Sequence, residues 1–147
     1  MIDALRKAIL ARREALIEMT QNLIRVPTIN PPGENYREAC EVVARRLRPL
    51  GFETRLLRAT GTPGDSARYP RWNLLARRDG ARPGRRVHFN GHIDVVEVGH
   101  GWSVDPFGGE LIDGRVHGRG ACDMKGGIAT AVIVAEAFLE IRPDHPG

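Results

Sequence analysis

Two short stretches of this sequence carry side chains able to do chemistry. The first is Gly91-His92-Ile93-Asp94, which follows the run Arg86–Asn90 (RVHFN). In extended chain, residues i and i+2 face the same way, so His92 and Asp94 project together. A His backed by a carboxylate is the arrangement of a metal ligand with its orienting partner. It is equally that of a general base with its orienter, and a purely structural pair has the same spacing. The second stretch is Gly118-Arg119-Gly120-Ala121-Cys122-Asp123-Met124-Lys125-Gly126-Gly127. Its glycines let backbone crowd a site. Asp123 falls at a strand-to-helix junction, where a carboxylate serves as a metal ligand or as a helix cap. A dinucleotide-binding reading fails, because Asp123 stands where the third Gly of that fingerprint belongs, and no Gly-Lys-Ser/Thr exists for a phosphate loop.

Taken together, the motifs narrow the field. His92-x-Asp94-Val95-Val96, then Trp102…Pro106-Phe107, then Gly118-Arg119-Gly120-x-x-Asp123-Met124-Lys125-Gly126-Gly127 closely resemble the co-catalytic zinc amidohydrolase/exopeptidase family. That family includes acetylornithine deacetylase, succinyl-diaminopimelate desuccinylase, aminoacylase and the glutamate carboxypeptidases. Asn22-Leu23-Ile24-Arg25-Val26-Pro27-Thr28, before a Pro-rich turn, is similar to the family's N-terminal segment. The resemblance spans essentially the whole chain, is densest from Phe89 to Gly127, and is strongest to the deacetylase/desuccinylase branch.

The resemblance implies a fold and a chemistry. The fold is α/β, a three-layer zinc-exopeptidase-like catalytic domain with a mixed central sheet. The cofactors are two Zn2+ ions, with Co2+ a possible substitute. His92 would ligate one zinc and Asp123 would bridge both. Asp94 would not bind metal; it would act in catalysis by holding His92 in the right tautomer. The Asp123–Met124 peptide bond is expected to be cis. The reaction is hydrolysis of the amide bond of an N-acyl amino acid, with a Glu as general base. The alternatives are a dipeptidase or carboxypeptidase of the same family, or a non-catalytic remnant. The partner is a small-molecule N-acyl amino acid or short peptide. A homodimer is implied only for a full-length protein.

The sequence also departs from the family. The general base and the remaining ligands normally follow the bridging Asp by about thirty residues or more, whereas 24 residues follow Asp123 here. Residues 1–147 therefore read as the N-terminal portion of the catalytic domain, incomplete in this chain, with the lid or dimerisation domain absent. Two protein ligands cannot close a zinc site, so this chain alone is expected to be inactive and to bind zinc weakly. Glu97 stands where the family often has Pro, and His117 where an aromatic is usual. His117 reads as a packing substitute, His100 as a solvated loop residue and His88 as structural. Cys122 reads as a small core residue rather than a soft ligand, and Cys40 as a buried helix residue. Lys125 and Arg119 either counter the site's negative charge or cap structure.

The elements that must position these residues follow from periodicity and breakers. Residues 3–24 have helical spacing, with Pro27 and Pro31-Pro32-Gly33 ending the run. A second helix is expected from about Glu34 to Pro49, then a strand over Phe52–Leu57. Residues 59–70 form a loop, and Arg71–Arg78 and Arg86–Asn90 are strands. Asp113-Gly114 joins two short strands in a hairpin. A last helix, Lys125 to about Ile141, is apolar on nearly all sides and is expected to be deeply buried.

Composition limits the remaining classes. Residues 1–90 carry 18 basic and 9 acidic side chains, while residues 91–147 carry 4 and 9. The arginines of the basic half are scattered, alternate with acids and lack interleaved aromatics, which argues against nucleic acid as a partner. The acidic half is where cation ligands would sit. No run is long enough for a membrane span. Two distant Cys and the lack of an apolar leader point to a reducing, cytoplasmic setting. A chain that stops before its sheet is complete is expected to expose an edge and an apolar face.

Overall fold

Three amphipathic helices and one mostly apolar one gather around a β-hairpin. The computed structural model describes residues 1–147. The helices are α1 (Ile2–Leu10), α2 (Arg13–Ile24), α3 (Tyr36–Leu47) and α4 (Gly126–Ile141). The strands are β1 (Glu53–Arg58), β2 (Trp72–Arg77), β3 (Glu110–Ile112) and β4 (Arg115–His117). Both β1–β2 and β3–β4 are antiparallel ladders, with Leu56 opposite Leu74 in the first and Leu111 opposite Val116 in the second. Parallel pairing occurs only as isolated bridges, Ile29 with Val95 and Arg82 with Pro146. The α/β layering expected from the sequence is present, and its sheet lies in separate pieces. No helix is long and apolar enough to cross a membrane.

The core explains why α2 and α4 must meet. Met19 and Leu23 of α2, Val43 and Leu47 of α3, and Ala129 and Val132 of α4 form one buried cluster. Phe52, Leu74 and Ala76 close it from the hairpin side. Polar ties frame the cluster at the rim. Glu136 of α4 accepts from Arg12 at 3.2 Å and pairs with Arg46 of α3 at 2.8 Å, while Arg12 also reaches Glu140. One carboxylate thus connects α4 to two neighbours.

Several expectations need correction. The single helix over residues 3–24 is two helices, broken at Ala11-Arg12, where Arg12 leaves helical geometry (φ −100°, ψ 17°). Its guanidinium instead bonds Ala8 O and the α4 carboxylates, so a tertiary contact overrides a continuous local pattern. The second helix ends in a 3-10 turn, Arg48–Leu50, because Pro49 cannot continue the α ladder. The Arg86–Asn90 run is not a ladder strand. It is an unpaired stretch that leaves Val87 80% and Phe89 56% exposed, because no neighbouring strand of this chain lies beside it. The last helix buries one stripe, Ala129, Val132, Ile133 and Ala137, and leaves Phe138 36% exposed. Its apolar back has no covering layer within these residues.

Two measurements check this packing. Leu23 is fully buried, so L23A should cost about 2–5 kcal/mol in chemical denaturation. The uncovered Val87 and Phe89 should drive association of the chain. Light scattering should show it, and the V87S/F89S double variant should reduce it; a monodisperse parent chain that melts cooperatively would refute this.

Candidate metal centre

Two arms of the chain converge to form the site. The first is Gly91–Val96, irregular in hydrogen bonding but fixed on one side. Val95 N donates to Thr28 O at 2.9 Å, and Asn30 N donates to Val95 O at 2.8 Å. The Thr28 hydroxyl donates to Ile93 O at 2.5 Å. This lacing holds the backbone of His92 and Asp94 against the segment that leaves α2. The second arm is the wide turn Ala121–Lys125 before α4, closed by Lys125 N donating to Gly120 O at 2.9 Å. Asp123 and Met124 leave helical geometry inside that turn, and their peptide bond is cis, as the resemblance implies. Gly120 has φ +83°, and a Cβ there would stand 2.4 Å from Val95 Cγ1. Only glycine lets the two arms approach this closely.

The side chains meet as their spacing implied. His92 Nδ1 lies 3.2 Å from Asp94 Oδ1 and 3.1 Å from the Asp94 carbonyl oxygen. His92 Nε2 lies 2.9 Å from Asp123 Oδ1. The Asp123 side chain is 88% exposed, so the rest of its carboxylate is open to a further partner. The hydrogen bond to Asp123 raises the His92 pKa above its ordinary 6.5 against an opposing burial effect, with Asp94 helping. A cleft of about 390 Å³ lies over the group, walled also by Val116, His117 and Arg119.

The donor set fits a metal ion. A neutral imidazole nitrogen and a carboxylate oxygen are ordinary zinc ligands. Two ligands on one tetrahedral ion with bonds of about 2.0 Å stand about 3.3 Å apart, close to the observed His92–Asp123 approach. Asp94 on the opposite ring nitrogen completes the carboxylate–histidine pattern that orients such a ligand. No three His, Cys, Asp or Glu side chains are placed to ligate one ion together, since Asp94 sits behind the ring of His92.

Residues 88–147, which contain both arms, match Peptidase family M20/M25/M40. A succinyl-diaminopimelate desuccinylase from Thioalkalivibrio sulfidiphilus is 39% identical over 133 residues, 89% of this chain and 32% of that protein. Both arms of the site thus lie within the part of the chain that matches peptidase family M20/M25/M40, and the likeness to the desuccinylase extends over most of the remainder. The fold agrees with that of the family. The solved structure of the Saccharomyces cerevisiae dipeptidase Dug1p superposes with a TM-score of 0.74 at 17% identity, over 99% of this chain and 32% of that one. The chain thus spans about a third of the length of the relatives it matches.

Other candidates fall into place around the family's motif. His117 is half-buried at the end of β4, as a packing residue would be, and also borders the cleft. His100 is exposed in its loop and lines an adjoining cavity of about 400 Å³ with Trp102 and Arg119. Cys122 is exposed rather than a core residue, because the wide turn departs from the strand alternation that placed it inside. His88 is exposed too, since Arg86–Asn90 has no sheet to bury it in. Cys40 is buried, and burial pushes its thiol up to about 11. Arg119 forms no ion pair with Asp123; it donates to Val98 O at 2.9 Å and lies over Trp102.

Lys125 is resolved as a structural cation. It is wholly buried, donates to Val26 O at 2.7 Å, and burial pulls its pKa down to about 8. An unfolded Lys keeps its proton to about 10.5, so between about pH 8 and 10.5 the unfolded state binds more protons and stability rises with pH. The whole Lys125 contribution to that rise is on the order of 3 kcal/mol. Cys40 works oppositely above pH 9, so the difference between parent and K125M isolates the effect. Denaturation midpoints across this window should show the rise in the parent and its loss in K125M.

Proposed function

We propose that this chain supplies one His–Asp half of a two-zinc centre that hydrolyses the amide bond of an N-acyl amino acid. The observation that carries the reading is the 2.9 Å convergence of His92 Nε2 on an otherwise open Asp123 carboxylate, with Asp94 behind the ring. His92 and Asp123 would hold the metal, and Asp123, with its remaining oxygen free, would serve a second ion. When bound, the metal supplies Lewis-acid polarisation of the scissile carbonyl and activation of water. Co2+ would substitute for Zn2+ with the same donors.

The remaining steps belong to this chain's own residues. Asp94 accepts from Nδ1, which fixes the ring and would leave Nε2 to ligate a metal ion in place of its hydrogen bond to Asp123. The cleft beneath Val116 and His117 offers space for a small acyl group. The succinyl-diaminopimelate reading is preferred to the dipeptidase reading because the 39% identity lies with a desuccinylase, whereas the likeness to Dug1p is one of fold.

Two ligand side chains are fewer than a closed zinc site requires. Titration calorimetry of the 147-residue chain should therefore show weak zinc binding, reduced at least tenfold in H92A and in D123A. Hydrolysis of N-succinyl or N-acetyl amino acids by this chain alone should be undetectable. Tight two-site binding, or affinity unchanged in both variants, would overturn the ligand assignment.

A further inference from the structure

Behind Asp94 runs a second line of contacts that the motif residues do not include. Asn30 Nδ2 donates to Asp94 Oδ2 at 3.1 Å. Arg71 Nη1 donates to Asn30 Oδ1 at 3.1 Å and to the Tyr36 hydroxyl at 3.0 Å. The Arg71 guanidinium also lies 5.2 Å from the centre of the Tyr36 ring. These residues come from three separate parts of the fold: the Pro-rich turn, the first turn of α3, and the residue before β2.

The chemistry of the chain has a direction. A guanidinium can only donate, so Arg71 forces the oxygen of the Asn30 amide toward itself. The amide's NH2 must then face Asp94, and an ionised carboxylate can only accept. With Oδ2 taken by Asn30, the other carboxylate oxygen of Asp94 is presented to His92 Nδ1 at 3.2 Å. A flipped or missing Asn30 amide would leave Asp94 free to rotate away from the ring.

The surroundings are built for this arrangement. A Cβ at Gly33 would stand 1.9 Å from Arg71 Nη1, and one at Gly64 would stand 2.2 Å from Nη2. Both glycines have positive φ, and between them they leave room for the guanidinium. The Arg71 backbone N is held by Asp65 Oδ1 at 3.1 Å. Asn30 is placed by its own backbone bond to Val95 O. Both ends of the line are thus set by backbone, and side chains carry it between them.

We propose that Asn30 and Arg71 are positioning residues that hold Asp94, and through it the tautomer and orientation of His92. The purpose of this hold rests on the reading of His92 as a metal ligand; the hold itself does not. It makes Asn30 and Arg71 determinants of metal affinity that never touch the metal.

The test is nitrogen-15 NMR of the histidine-labelled, metal-free chain carrying D123A, which removes the carboxylate that competes for a proton at Nε2, at a pH where His92 is neutral; every tautomer variant is made in that background. In that parent, His92 should carry its proton on Nδ1. In N30L and R71M, the population should shift toward the Nε2–H tautomer and Nδ1–H exchange should quicken. Y36F removes the other acceptor of Arg71 and leaves the line to Asp94 intact, so it should keep the parental tautomer. N30D retains size and an acceptor for Arg71 but sets a carboxylate against Asp94, so it should lose the tautomer while keeping the fold. An unchanged His92 tautomer in folded N30L, R71M or N30D overturns the proposal, as does a Y36F shift equal to theirs. In parallel, zinc titration of N30L should show about a tenfold loss of affinity. Zinc binding indifferent to H92A would sink the metal reading instead, and the tautomer measurement would still decide the positioning claim.

Discussion

The segment Val26–Asn30, leaving α2, is the strut on which the site depends. Val26 O receives the buried Lys125 ammonium, which anchors the turn carrying Asp123. Thr28 receives Val95 N and donates to Ile93 O, which anchors the arm carrying His92 and Asp94. Asn30 then reaches Asp94 itself. Two arms that are distant in sequence are therefore referenced to one short piece of backbone. The proposed metal centre would demand that accuracy, because ligand atoms must be placed to a fraction of an ångström.

The strut is in turn held by packing. Leu23 and Ile24 at the end of α2 are wholly buried, and Leu23 shares a cluster with Ala129 and Val132 of α4. Burial of α2 against α4 thus sets the distance between the exit of one helix and the entry of the other. Lys125 is the polar part of this joint. A buried ammonium with a carbonyl partner is costly to desolvate, and its contact with Val26 ties the start of α4 to the end of α2. The residues proposed to hold metal are more exposed than those that support them, Asp123 most of all.

The same layout explains why the surface is divided. In the basic half, Arg12, Arg48 and Arg58 are spent on Glu136, Glu140, Glu41 and Asp65. One of the scattered arginines, Arg71, is inward-facing and serves the site through Asn30. The acidic half supplies the donor side chains. The apolar strip at Val87 and Phe89, and the outer face of α4 at Phe138, carry no covering layer in these residues.

Much was legible in the sequence because it depends on local rules. Helical spacing located α2, α3 and α4, Asp113-Gly114 located the β3–β4 hairpin, and period two put His92 and Asp94 on one side. The Gly-rich run flanking Asp123 marked a crowded junction before a helix. What the sequence could not show were relations between distant residues. The break at Arg12 arises from carboxylates 124 or more positions away. The exposure of Cys122 arises from a wide turn that no alternation rule describes. Asn30 was hidden in a Pro-rich turn, and Arg71 among 20 arginines of similar local context. Residue type and spacing determined which chemistry is available here. Only tertiary packing decided which Arg, Asn and Lys serve it, because a hydrogen bond between distant segments has no period for a sequence to display.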